Sequence, residues 1–155
     1  MSLESVRAFF AEKAPDITVI ESRTSSATVA LAAEAYGVEP GRIAKTLSLR
    51  LGERVVLIVA SGTSRIDNKK VKAKFGGKPK MLEAKEVVEI TGHEVGGVCP
   101  FGLKAPLQVY CDVSLRTFDE VVPAAGSTHS AVRIAPSRMA ELVGAEWVDV
   151  CREPS

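Results

Sequence analysis

Three groups of residues in this sequence have types and spacing suited to chemistry. The first is Lys45, within Ile43-Ala44-Lys45-Thr46-Leu47-Ser48-Leu49-Arg50. Strand alternation places Ile43, Lys45, Leu47 and Leu49 on one face and Ala44, Thr46, Ser48 and Arg50 on the other. A charge on the apolar face is costly unless it is paired or opens into a cavity. The expectation is therefore a lysine that projects into a pocket and holds or polarises an oxygen-rich substrate. The alternative is a lysine near a strand end that snorkels out to water. The second group is Gly96-Gly97-Val98-Cys99-Pro100-Phe101-Gly102, whose glycines and proline suit neither helix nor strand. Amides with no side chain over them can cradle a carbonyl or an oxyanion, although such a loop can also be only a rigid turn. The third is the polar turn Gly126-Ser127-Thr128-His129-Ser130. Together these groups could hydrolyse an ester by backbone oxyanion stabilisation, with a positioned water or substrate hydroxyl as nucleophile. That chemistry needs neither metal nor cofactor.

Several other chemistries lack their residues. There is no G-x-x-x-x-G-K-[ST] and no G-x-G-x-x-G, so the two standard nucleotide-phosphate loops are missing. His93 and His129 are the only histidines, and neither has a Cys or His at ligand spacing, which argues against zinc. No C-x-x-C suggests thioredoxin-type redox chemistry, and no G-x-S-x-G elbow supports a serine triad. Cys99 could serve as a nucleophile, but a buried free thiol is the commoner state of such a cysteine.

A length of 155 residues with 46% apolar and 25% charged residues fits a single globular domain, 1–155, able to bury a core. No run of 18 apolar residues offers a membrane span, and the first residues lack the basic-then-apolar form of a signal peptide. The three cysteines, Cys99, Cys111 and Cys151, are odd in number and widely spaced, as expected of free thiols in a reducing cytoplasm. Net charge is only +1, yet Arg65, Lys69, Lys70, Lys72, Lys74, Lys78 and Lys80 lie within sixteen residues against Asp67 alone. Such a patch suggests a polyanion partner, or simply a solvated lysine face.

The elements that must position these groups follow from periodicity and punctuation. Helices are expected at Leu3 to Lys13 with Ser2 as cap, Ala27 to Tyr36 closed by Gly37, from an Asp67 cap through Phe75, Ala84 to Ile90 closed by Gly92, and Ser137 to Val143 behind Pro136. Strands are expected at Ile17 to Ile20, Ile43 to Arg50, Val55 to Ala60, Lys80 to Leu82, Leu107 to Asp112 and Trp147 to Val150. Glu120 to Ala125 and Ala131 to Ala135 read as a hairpin-like pair. The fold class is α/β: one domain with a mixed, curved, barrel-like sheet and surrounding helices.

The chain resembles the YbaK/aminoacyl-tRNA-synthetase-associated domain family, free-standing relatives of the editing domain of prolyl-tRNA synthetase. The resemblance rests on Arg42-Ile43-Ala44-Lys45-Thr46-Leu47, Ser64-Arg65-Ile66-Asp67-Asn68-Lys69-Lys70, Thr91-Gly92 through the Gly96–Gly102 loop, and Ala124-Ala125-Gly126-Ser127. It implies a trans-acting deacylase for tRNA carrying a wrong amino acid of Ala, Ser, Thr or Cys type. A non-catalytic tRNA- or synthetase-binding module of the same fold is the alternative. Lys45 becomes the key functional residue, and Gly96, Gly97, Val98, Cys99, Pro100, Phe101, Gly102, Gly126, Ser127 and His129 become the substrate-binding set. Lys69, Lys70, Lys72 and Lys74 become the tRNA-binding face. The implied partners are mischarged tRNA and a synthetase, with no DNA, membrane, metal or cofactor. Cys99 departs from the small residue, such as serine, threonine or proline, more usual there.

Overall fold

The computed structural model describes residues 2–153. Its elements run α1 (Ser2–Lys13), β1 (Ile20–Glu21), α2 (Val29–Tyr36), β2 (Ile43–Leu51), β3 (Arg54–Ser61), β4 (Arg65–Ile66), α3 (Asn68–Phe75), β5 (Lys80–Met81), α4 (Ala84–Thr91), β6 (Gln108–Asp112), β7 (Val122–Pro123), β8 (Ser130–Ala131), α5 (Pro136–Val143), β9 (Glu146–Val148) and β10 (Cys151–Arg152), with 3-10 turns at Pro40–Arg42 and Val113–Thr117.

The continuously apolar β3 is buried on both faces, as its composition requires. Leu57 and Val59 face a core shared with Val6 and Phe10 of α1 and Met139 and Ala140 of α5. Val56, Ile58 and Ala60 face the opposite core, with Val71 and Phe75 of α3. The strand β6 alternates in the same way, sending Val109 and Cys111 to the first core and Tyr110 to the second. Each buried aliphatic side chain of this kind stabilises the fold by about 1.5–3 kcal/mol.

The main sheet has the order β5-β2-β3-β6-β9, with β7 also paired to β2. The strands β2 and β3 are antiparallel, whereas β3–β6, β6–β9 and β2–β7 are parallel. The sheet is mixed, as expected, but open rather than barrel-like, because β5 and β9 end it without meeting. Two short antiparallel ribbons, β1–β8 and β4–β10, lie outside it.

Local capping follows the sequence closely. Thr28 accepts the Leu31 amide, Asp67 accepts those of Lys69 and Lys70, and Gly37, Gly76, Gly92 and Gly144 close their helices in the left-handed region. Ser2 is a correction: it is the first residue of α1 rather than its cap. The strand expected from Ile17 shortens to Ile20–Glu21, since Ile17 is turned back on Ala14 by a 3.0 Å backbone bond. The hairpin at Glu120 to Ala135 closes only through the isolated bridges Val121↔Ile134 and Ala124↔Ala131. Its ladder residues pair elsewhere, β7 with β2 and β8 with β1, and Pro123 has no N–H to give a hairpin partner. The last strand ends at Val148, and Cys151–Arg152 then joins β4, a pairing that the sequence pattern did not reveal.

Candidate active site

The two edges of β2 are unequal. Against β3 it pairs at every position from Ala44↔Ser61 to Leu51↔Arg54. On the other edge β7 covers only Ile43 and Ala44, and β5 covers only Leu49 and Arg50. Lys45, Thr46 and Leu47 therefore have no strand partner there. The Ser48 carbonyl accepts from the Leu82 N–H at 3.2 Å, so alternation turns the N–H and C=O of Thr46 toward the same open edge.

A cavity of about 230 Å³ opens at this gap. Its walls include Ala44, Lys45, Thr46 and Ser48 of β2, Met81 of β5 with Leu82 after it, Gly96 and Val98 of the glycine loop with Val95 before it, and Ser130 of the polar turn with Ala124 and Ala131 flanking that turn. Ser26, Ala27, Ala32 and Tyr36 complete it from the α2 side. The lining is mostly apolar and small, and several of its hydroxyls are satisfied within the fold. Ser26 donates to the Thr128 carbonyl at 3.0 Å, and the Ser127 and Ser130 hydroxyls meet at 2.6 Å. Thr46 Oγ1 differs: it is buried, and among the described residues it is the one buried side-chain N or O atom with no hydrogen-bond partner.

The glycine loop and the polar turn are locked together by backbone. The Gly126 N–H donates to the Gly97 carbonyl at 3.1 Å. A Cβ on Gly97 would lie 2.7 Å from the Ser127 nitrogen, so only glycine permits this approach. The first turn of α1 holds both segments from behind. Ser5 Oγ donates to the Gly102 carbonyl at 3.0 Å, and Gly126 packs on the Ser2 carbonyl. His93 ties these parts into one unit. Its Nε2 lies 2.7 Å from the Phe101 carbonyl, which can only accept, so Nε2 carries the proton and Nδ1 accepts from Ser2 Oγ. Burial holds His93 below the ordinary histidine range, against a smaller opposing effect from the Phe101 carbonyl, which favours this neutral tautomer.

A sequence model of the aminoacyl-tRNA editing domain matches residues 24–142. The chain belongs to the aminoacyl-tRNA editing domain family. It is 51% identical to the uncharacterised protein YwhH of Bacillus subtilis over 99% of both chains. It is 30% identical to EbsC of Enterococcus faecalis, described as a candidate Cys-tRNA(Pro)/Cys-tRNA(Cys) deacylase, over 76% of this chain and 73% of that protein. A crystal structure described as a candidate trans-editing enzyme for prolyl tRNA synthetase superposes with a TM-score of 0.90 at 32% identity, covering 97% of each chain.

Within this editing domain the residues expected to form the site divide into three sets. Lys45, Gly96 and Val98 reach the cavity wall, and Gly97 is buried behind it, its own amide donating to the Glu94 carbonyl at 2.9 Å. That amide is therefore already bonded and is not an open cradle for an oxyanion. Lys45 also departs from expectation at its tip. Its ammonium donates to the carbonyls of Gly62 and Ser64 instead of standing free in the lumen. Burial lowers the Lys45 pKa, Cys151 opposes that shift, and the Arg65 charge adds to it.

Cys99 and Phe101 form the second set, and they are fully buried in the first core, away from the cavity. Phe101 packs against Phe10 with ring centres 4.7 Å apart and planes tilted by 56°, and burial pushes the Cys99 thiol up to about 12. A buried, protonated thiol is not a nucleophile for a substrate in this cavity. Pro100 is buried too, and Gly102 and Gly126 serve as close contacts for α1 rather than as cavity wall. Ser127 orients Ser130, while His129 is exposed and bonded to Thr128.

The basic helix is the third set, and half of its charge is paired. Lys70 meets Asp149 at 3.0 Å and Lys74 meets Glu146 at 2.8 Å. Lys69 and Lys72 are exposed without an ion pair among the described residues. Sequence reasoning gave no role to Thr46, Ser26 or Tyr36, and it named Ser130 only as part of the polar turn. The alternation that singled out Lys45 had already placed Thr46 on the other face, and a polar side chain there was the available signal.

Proposed function

We propose that this editing domain hydrolyses, in trans, the ester that joins a small, wrongly selected amino acid to tRNA. The observation that carries this reading is the cavity at the interrupted edge of β2, whose lining includes Thr46, a residue with a buried and unpartnered hydroxyl. The small lumen, walled by Ala27, Ala32, Ala44, Ala124 and Ala131, lies below the roughly 300–1,000 Å³ of drug-sized sites. It suits an aminoacyl group of the Ala, Ser, Thr or Cys type.

In the reaction, the ester carbonyl lies against the open edge, where the Thr46 N–H is turned toward it and the adjacent Thr46 hydroxyl supplies a second donor. A water, held by the free hydroxyl of the terminal ribose, attacks the carbonyl carbon, and negative charge grows on the carbonyl oxygen between those donors. Collapse breaks the bond to the ribose oxygen, which takes up the proton released by the nucleophile. The amino acid leaves as the carboxylic acid when water attacks. Lys45 binds no substrate atom directly in this scheme. Its ammonium, fixed on Gly62 and Ser64 carbonyls, adds positive potential beside the strand that carries Thr46. A tRNA partner, and a synthetase that releases it, follow from this reading.

The test is deacylation of tRNAs carrying alanine, serine, threonine, cysteine and proline, with wild type beside Lys45→Ala. The expected result is rapid hydrolysis of one or a few small aminoacyl esters, lost in the folded variant. Hydrolysis of none would favour a binding module of the same fold, and full activity of Lys45→Ala would remove the lysine from the mechanism.

A further inference from the structure

The ribbon β4–β10 sets Arg65 directly opposite Arg152, both exposed. On one face of an antiparallel pair, opposed side chains start about 4.5–5.5 Å apart at Cβ, and like charges in that register repel. Neither arginine has a carboxylate partner among the described residues. The neighbouring acids are already occupied. Asp67 caps α3, Asp149 holds Lys70, and Asp112 accepts the amides of Ser114 and Val150. Glu153, next in the chain after Arg152, is exposed and makes no ion pair among the described residues. The other face of the ribbon is fixed, because Cys151 is buried in the second core with Ile66 packed against it. The two arginines therefore cannot turn inward to relieve their repulsion.

This pair also adjoins the proposed site. Ser64, whose carbonyl receives the Lys45 ammonium, immediately precedes Arg65, and the exposed Lys69 follows on α3. An anion that bridges two guanidinium groups converts their repulsion into paired hydrogen bonding, and the planar guanidinium fork matches phosphate oxygens. We infer that Arg65 and Arg152 form a clamp for the RNA phosphates next to the aminoacylated end, so that the backbone enters past Lys45 while the ester reaches the gap in β2. The ion-paired lysines Lys70 and Lys74 contribute less. This inference rests on the deacylase reading for the identity of the RNA, and its test separates the two.

The probe is an RNA minihelix ending in CCA, titrated by fluorescence anisotropy over a range of salt concentrations. Wild type, Arg65→Gln/Arg152→Gln and Lys70→Gln/Lys74→Gln are compared, with melting temperature measured on each. The arginine variant is expected to bind about tenfold more weakly at low salt and to lose about 1–2 units of log–log salt slope. Its melting temperature should not fall, because a repulsive pair has been removed. A smaller loss is expected from the lysine variant. Unchanged affinity and slope in the arginine variant would overturn the clamp, as would a larger loss from the lysine variant. An arginine variant that keeps its RNA affinity but loses self-association would overturn it in favour of a protein contact. If wild type hydrolyses no ester but the binding results hold, the clamp stands and the deacylase reading falls.

Discussion

The two edges of β2 show how one strand can serve both stability and chemistry. Along β3 its backbone is paired without interruption, between two apolar cores. Along the other edge β7 and β5 each cover two positions, and the stretch between them opens into a cavity. A missing partner leaves polar groups unpaired at a place where most of the wall is apolar, and such groups are costly until a ligand satisfies them. The continuous edge is what allows the interrupted one to persist, because the strand is held straight and in register from its far side.

That contrast can be broken from either side. The largest effect is expected on the paired side from Ile58→Ala, which empties a fully buried position in β3. It should cost about 2–5 kcal/mol, read as a fall in melting temperature of about 2–4 °C per kcal/mol for a chain of this size. Turnover per folded molecule should be largely kept. If turnover collapses while the protein stays folded, the two edges are not separable.

On the cavity side, Gly97→Ala should do the reverse in proportion. The new methyl would meet the Ser127 nitrogen at 2.7 Å, pushing the glycine loop away from the polar turn at a cost of about 1–3 kcal/mol. Because Gly96 and Val98 line the cavity on either side of this position, loss of turnover should exceed the loss in stability. A variant of unchanged activity would show that the loop only closes the fold.

A smaller effect concerns pH. Burial is the first cause that holds the folded-state pKa of Lys45 below the ordinary lysine value. Its ammonium form is therefore lost at lower pH than that of an ordinary lysine. The pH–rate profile should fall on its alkaline side below the ordinary lysine range, and Lys45→Arg, which stays charged, should move that limb upward. For stability the sign is opposite to that of a salt-bridged lysine. The depressed pKa weakens the fold fully below the folded value, and that penalty lifts as pH rises from the folded value to the ordinary lysine value. A profile flat up to the ordinary lysine range would detach Lys45 from turnover.

Much of this organisation was legible in the sequence. Apolar runs, alternation and capping residues placed the central strands and all five helices, since those signals are local. Lys45, the glycine loop and the polar turn were also found, because a charge in an apolar stripe and clustered glycines are anomalies within a short window. What stayed hidden depends on pairing across the chain. The open edge of β2 arises from where β5 and β7 stop, and β10 finds β4 across more than eighty residues. Cys99 and Phe101 looked like site residues because they share a loop with Gly96, yet α1 supplies Phe10 and the loop turns them into the core. The ammonium of Lys45 was expected in the lumen, but carbonyls at the end of β3 offered nearer acceptors.

The most direct measurement is turnover and melting temperature together for Thr46→Val on the preferred aminoacyl-tRNA. Valine keeps the branched shape that suits a strand and removes only the unpartnered hydroxyl. The expected result is a melting temperature unchanged or raised and a kcat lowered by about 10²–10³, the effect of losing one oxyanion donor. A folded Thr46→Val with wild-type kcat would contradict the claim that the ester is cleaved at the open edge of β2.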